Sequence, residues 1–390
     1  MTAATLARAQ EHLRAIGGAP RPAGSEADLA ARRYAARVLR TSGFTTREEP
    51  FQYSAFPGRY GTPLIGAAGV GIVASAAHLA ARGGAAFPLA ILVAGAVVLG
   101  VLGRWLARAG VLDLPLLRAE GVNLVATRGE TAPAVWLVAH TDSKSQPVPQ
   151  ALRAAGITGL ALTWVAAIAL AIAQLAGVPG VAPIAVWAGL AVVAVVTGLP
   201  VMLSVVGTES DGALDNASGV AAVLVAAEQL PPGLPIGVLL TTAEELGLAG
   251  ARAWARSTAA APNGPAAARR FAPTTGQVAL NCDGVDDVGM LTGMHSGAGH
   301  DRVLDAMSAA AAARGLPYRS MRLVPGILTD SVALADAGWA TVTLSRGTLA
   351  TLRRVHTRRD SLDRLAGTGI PDAAAILADT ARRLATQEAR

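Results

Sequence analysis

Long stretches of this chain carry no Asp, Glu, Lys or Arg, the longest being residues 60–81, 83–103 and 154–208. A helix needs about 20 apolar residues to cross the hydrocarbon layer, so these runs accommodate one, one and two spans. Gly177-Val178-Pro179-Gly180 divides the long run into 154–176 and 181–206. A core helix of a soluble domain carries a polar stripe, and none is visible across 161–173, so lipid is the better surrounding. Elsewhere the periodicity changes. Residues 26–42 have helical spacing and end at Gly43, and Thr45 to Tyr53 alternates as a strand does. Further strands are predicted at Asn123–Thr127, Ala134–Ala139, Ile236–Thr242, Gln277–Cys282 and Ala340–Leu344, and helices at 217–230, 246–257, 301–314 and 371–388. Residues 258–275, rich in Ala, Pro and Arg, read as a surface loop. The alternation predicts an α/β fold with a mixed, mostly parallel central sheet and helices on both faces.

The apolar runs pair as helical hairpins at 61–103 and 154–206, so the hydrophilic segments emerge on one side. Segments 1–60, 104–153 and 207–390 are then expected to fold together as one discontinuous domain. Composition agrees with a membrane protein: 52% of residues are hydrophobic, 15% are charged, and the mean hydropathy is +0.43. Residues 1–40 contain no apolar stretch of the signal-peptide kind. Arg59, Arg104, Arg108, Arg118, Lys144 and Arg153 flank the spans on one side and Arg82 alone on the other, which predicts an integral membrane protein with its hydrophilic domain in the cytoplasm. Trp105, Trp164 and Trp187 are candidates for interfacial positions. The arginines behind a pI near 10.3 are scattered and lack interleaved aromatics, which argues against a nucleic-acid partner. A single cysteine, Cys282, excludes an internal disulfide. Spans with no acidic residue and one histidine, His78, argue against a transporter.

Against this background, five separated pieces stand out in order. His140 and Asp142 lie in Ala-His-Thr-Asp-Ser, Asp215 in Asp-Gly-Ala-Leu-Asp-Asn-Ala-Ser-Gly, Glu244-Glu245 after an apolar strand, Asp283 in Asn-Cys-Asp-Gly, and His356 in Val-His-Thr. His140, Glu244 and Asp283 each follow a predicted strand, and sites in open α/β sheets gather at the carboxyl ends of strands. A carboxylate two residues from a histidine can take the second ring N–H, the role expected for Asp142. The two oxygens of Asp215 could each hold one metal, although Asp215 or Asn216 could instead cap the following helix. Adjacent buried carboxylates at Glu244 and Glu245 repel each other unless a cation compensates; one could bind metal while the other serves as a base. Arg353, Arg354, Arg358 and Arg359 surround His356, a setting that also fits a solvated basic loop or a docking point for a carboxylate. Asp286 and Asp287 compete with Asp283 but do not directly follow the strand, and His300-Asp301 reads as a helix start. Two imidazoles and three carboxylates suit two zinc ions, whose charge would cancel three carboxylates and a hydroxide.

These motifs resemble the di-zinc aminopeptidase family of bacterial leucyl aminopeptidases and aminopeptidase Y, to which glutaminyl cyclases are related. Residues 21–43, opening Arg-Pro-Ala-Gly-Ser-Glu, are similar to the family's start, and Val355-His-Thr-Arg-Arg-Asp-Ser-Leu-Asp363 to its end. The resemblance implies a zinc-peptidase α/β/α sandwich. It also implies that His140, Asp215 and Asp283 hold one zinc, that Asp215, Glu245 and His356 hold the other, that Glu244 is the general base, and that Asp142 supports His140. The implied substrate is a peptide with a free N-terminus, and the implied setting adds a lipid bilayer. A related amidohydrolase, carboxypeptidase or glutaminyl cyclase, and a catalytically silent membrane scaffold, are the alternatives. Two departures stand out: Thr329-Asp330-Ser331 replaces a Ser-Asp-His run, and Val355 replaces a Tyr before the last histidine. Since a hairpin joins His140 to Asp215, the site is expected close to the bilayer surface.

Overall fold

The computed structural model describes residues 2–178, 180, 184–259, 277–323 and 327–388. The expected loop at 258–275 falls mostly outside them, as does Pro179 of the expected turn. In chain order the elements are α1 (Ala3–Ile16), α2 (Glu26–Thr41), β1 (Thr45–Ser54), α3 (Thr62–Ala81), α4 (Ala86–Trp105), β2 (Arg118–Arg128), β3 (Val135–His140), α5 (Gln150–Leu175) and α6 (Ile184–Met202). They continue with α7 (Ser218–Gln229), β4 (Ile236–Thr241), α8 (Ala249–Ala259), β5 (Val278–Val285), β6 (Met290–His295), α9 (Asp301–Ala312), β7 (Tyr318–Arg322), α10 (Asp330–Asp336), β8 (Ala340–Gly347) and α11 (Ile370–Glu388). Two compact units result: Met1–Ser54 with Leu117–Ser145 and Thr208–Arg390, and Ala55–Leu116 with Gln146–Gly207.

The first unit is built on an eight-stranded mixed sheet in the order β1-β2-β4-β3-β5-β8-β6-β7. Strands β4, β3, β5 and β8 run parallel at its centre, flanked by antiparallel β2 and β6. Both β3 and β4 are buried at every position, because helices cover both faces. Val135, Leu137 and Ala139 face a core shared with α1, α2, α7, α9 and α11. Trp136 and Val138 point the other way, into a cluster with Trp254 of α8, Leu334 of α10 and Trp339. The expected mixed sheet with helices on both faces is what the chain forms.

Some elements escaped the sequence reading. Strands β6 and β7 form a sheet edge, and β7 has no fully buried position, so it shows no apolar run. Helix α1 buries Ala9, His12, Leu13 and Ile16, a helical stripe in which a histidine holds one apolar position. Helix α8 begins at Ala249 rather than 246, because Ala243, Gly247 and Leu248 have positive φ and form a tight turn around Glu244-Glu245.

In the second unit, α3, α4, α5 and α6 are each long and apolar enough to cross a membrane. Their shared core is narrow and rich in alanine, with Val73, Ala76, Leu92, Leu160, Ala167, Ala171 and Ala194 at its heart. At Gly156, a Cβ would lie 2.7 Å from the carbonyl oxygen of Thr197, so α5 and α6 approach at backbone distance. Large side chains such as Leu162, Val165, Val192 and Val196 point outward. Two of the expected interfacial tryptophans prove to be packing residues. Trp187 is buried and donates to Oε1 of Gln174, and Trp164 donates to the carbonyl of Leu92; both indole N–H groups find acceptors inside the bundle. Trp105, at the end of α4, is exposed.

Candidate metal centre

The loops that leave the central parallel strands carry the predicted residues to one place. His140 ends β3, Glu244 and Glu245 sit in the turn after β4, Asp283 lies near the end of β5, and His356 follows β8 through a short 3-10 turn. Asp215 comes from the segment before α7. Its Oδ1 is 3.1 Å from Nε2 of His140, and its Oδ2 is 3.0 Å from Nε2 of His356. Oδ1 of Asp283 completes the first group at 3.6 Å from His140 Nε2. Oε1 of Glu245 completes the second at 3.4 Å from His356 Nε2. Within each trio, His140–Asp215–Asp283 and Asp215–Glu245–His356, the potential donor atoms lie within 4.8 Å of one another.

Both trios fit a divalent cation. His140 Nε2 and Glu245 Oε1 are buried, face their trios and have no hydrogen-bond partner among the described residues. Burial alone would lower the pKa of His140, yet Glu244, Asp142, Asp215 and Asp283 together hold it well above the ordinary value. Burial would raise Asp215, but His140 and His356 hold it well below the usual carboxylate range. Burial and the charge of Asp215 push Asp283 up. Such mutually frustrated acids and imidazoles are what a metal ion relieves, since it binds the deprotonated forms and releases their protons. The carboxyl of Glu244 is raised well above its ordinary range, by burial and by repulsion from Glu245, Asp330 and Asp283. It belongs to neither trio.

Asp142 differs from the expectation in detail. His140 Nδ1 is 3.0 Å from the main-chain oxygen of Asp142 and 3.6 Å from its Oδ1. The carboxylate accepts the backbone N–H groups of Glu244 at 3.1 Å and Glu245 at 3.2 Å. Asp142 thus holds the turn that aims both glutamates, as well as lying beside the imidazole. The competing residues are occupied elsewhere: Asp286 pairs with Arg354 at 2.6 Å, and Asp287 accepts the N–H groups of Ala366 and Thr368. His300 and Asp301 start α9.

Several residues beyond the expected ligands shape the centre, among them Asn216, one of the two residues expected as a cap of the following helix. Asn216 donates to the carbonyl of Cys282 and accepts from the N–H groups of Gly219 and Gly284, tying Asp215 to the end of β5. A Cβ at Gly219 would collide with Asn216 Oδ1 at 2.0 Å, so the Asn-Ala-Ser-Gly spacing is a packing requirement. The carboxylate of Asp360 accepts the N–H groups of Leu214 and Asp215. Arg21, buried, donates to the carbonyls of Thr141, Asp211 and Gly212, joining the loops that carry His140 and Asp215. Asp28 accepts the hydroxyls of Thr141, which follows His140, and of Thr242, two residues before Glu244. Arg21, Asp28 and Asp360 lie within or beside the segments that carry the family resemblance, and that was their only signal.

Comparison with known proteins bears on this geometry. Residues 199–381 match the model of peptidase family M28. The M28 segment contains Asp215, Glu244, Glu245, Asp283 and His356, and it begins after His140 and Asp142. Among curated proteins, none matches the chain. Solved structures with the same fold include an aminopeptidase from Aneurinibacillus sp. strain AM-1, at a TM-score of 0.54 and 15% identity, covering 96% of this chain and 92% of that one. The zinc aminopeptidase BSAP from Bacillus subtilis aligns at a TM-score of 0.54 and 13% identity over 97% and 94%. A glutaminyl cyclase from Fimbriiglobus ruber aligns at 0.52 and 13% over 96% and 94%. The resemblance read from the motifs is thus borne out as an M28 match within a fold shared with zinc aminopeptidases.

Proposed function

We propose that this chain is a zinc-dependent metallopeptidase of the M28 type, anchored in a membrane by α3–α6, that hydrolyses N-terminal peptide bonds. The observation that carries the reading is the bridging position of Asp215, whose two oxygens face two separate donor trios. His140, Asp215 and Asp283 would hold one zinc, and Asp215, Glu245 and His356 the other. When bound, zinc supplies Lewis acidity, lowering the pKa of water and polarising a carbonyl. Glu244 stands outside both ligand sets, and burial holds its proton affinity well above that of an ordinary carboxylate. It is therefore the general base, taking a proton from water and passing it to the leaving amine. Asp142 orients Glu244 and Glu245 through their backbone N–H groups. Basic residues flanking the spans support a cytoplasmic position for the peptidase domain.

The test separates base from ligand. Glu244→Gln keeps a side chain of the same size, so it should retain zinc while turnover on aminoacyl substrates falls about 100-fold to 10,000-fold. Near wild-type turnover in a zinc-loaded E244Q protein would remove the base assignment. A substrate panel of free-amine, N-blocked and glutaminyl compounds then distinguishes the aminopeptidase from its amidohydrolase and cyclase relatives.

A further inference from the structure

Lys144 lies two residues beyond Asp142, and its Nζ is 2.6 Å from Oε2 of Glu245. Oε1 of the same carboxylate points the other way, toward His356 Nε2 at 3.4 Å. Glu245 is thus held on one oxygen by a fixed ammonium and presents the other to its trio. The side chain of Lys144 is only 13% exposed, so its charge is poorly screened. No lysine or arginine pairs with Asp283 among the described residues. The two halves share Asp215 and differ in the remainder: one adds the charge of Asp283, and the other adds that of Glu245 with Lys144 set against it.

We propose that Lys144 makes the two halves of the centre unequal, so that His140–Asp215–Asp283 is the tight zinc site and Asp215–Glu245–His356 the weak, readily exchanged one. The inference rests on the reading of the centre as a two-zinc site. A dication entering the second half is repelled by an ammonium a few ångströms away, in surroundings where charge interactions are several times stronger than in water. Lys144 also orders Glu245, which works in the opposite direction. That contribution is the smaller, because Glu245 is already packed and its backbone is held by Asp142.

The test is a calorimetric titration of the metal-free, full-length protein with Zn2+, which reads binding without reference to turnover. Two steps at least about tenfold apart in affinity are expected, and Asp283→Asn should abolish the tighter one. Lys144→Met and Lys144→Gln should each tighten the weaker step about tenfold or more and leave the tighter step nearly unchanged. Lys144→Gln keeps a donor for Glu245 without the charge, so a neutral K144Q with a weakened K144M would mean that Lys144 only orders the carboxylate, and the proposal fails. Two equal steps in the wild type also overturn it. No zinc binding at either half would instead bring down the metal-centre reading itself.

Discussion

Asp142 shows how much one buried side chain can settle. Its carboxylate is fully enclosed, and burial raises its pKa, yet it stands where both oxygens accept backbone N–H groups from successive residues. Those N–H groups belong to the proposed base and a proposed ligand, so Asp142 fixes the angle between them. Asp142→Asn can satisfy one N–H through its oxygen but turns an amide donor toward the other. Zinc affinity should therefore fall about 10-fold to 100-fold, the usual cost of losing a partner that orients a metal site. Competition against a chelating indicator measures this, and an unchanged affinity in a folded D142N protein would assign the aiming of the glutamates elsewhere. His140 is affected less directly, because its nearer partner is the main-chain oxygen of residue 142, which the substitution leaves in place.

At the scale of elements, the two faces of the sheet are unequal. One is a broad aliphatic core; the other is a small cluster in which Trp254 meets Trp136 at 4.8 Å and Trp339 at 5.2 Å between ring centroids, both edge-on. A side chain flanked by two aromatic rings cannot be replaced by the collapse of flexible neighbours, so Trp254→Ala should cost about 3–5 kcal/mol. Denaturant titration measures it, and a loss below about 1 kcal/mol would show that α8 is not held by this cluster. The element scale is also where the sequence was most legible. Strands β3 and β4 read clearly because burial on both faces leaves an apolar run broken only at its end, by His140 and Thr241. Helix α7 read clearly because its small-residue start and length were distinctive, although it is buried all round from Ser218 to Ala227. The edge strand β7 could not be read, since partial exposure on both faces removes the period-2 signal, and the short α10 has too few turns to show a period.

For the whole molecule, legibility divides along sequence distance. The five residues of the two trios could be singled out because each stands beside a strand end or in a local motif of recognisable chemistry. Arg21 could not be assigned a role, because its partners are carbonyls up to 191 residues away and any arginine would look the same in one dimension. The apolar hairpins were the plainest feature of all, and the structure reveals why the sheet tolerates them. Ser54 and Arg118, which bracket the first insertion, are register partners in the antiparallel β1–β2 ladder. Ser145 and Glu209, which bracket the second, are joined by a 2.9 Å hydrogen bond. Each insertion therefore leaves and re-enters the first unit at almost one point, where a tight turn could close the chain. Among the described residues, the aliphatic and tryptophan clusters of the sheet contain none from either insertion. A chain with 55–117 replaced by Asn-Gly and 146–208 by a short Gly-Ser loop should therefore fold unaided. It should purify without detergent, melt in one cooperative transition, and bind zinc through residues that are all retained. Circular dichroism with size-exclusion chromatography tests this directly. An aggregated or non-cooperative product would mean that the sheet depends on the four apolar helices for its stability.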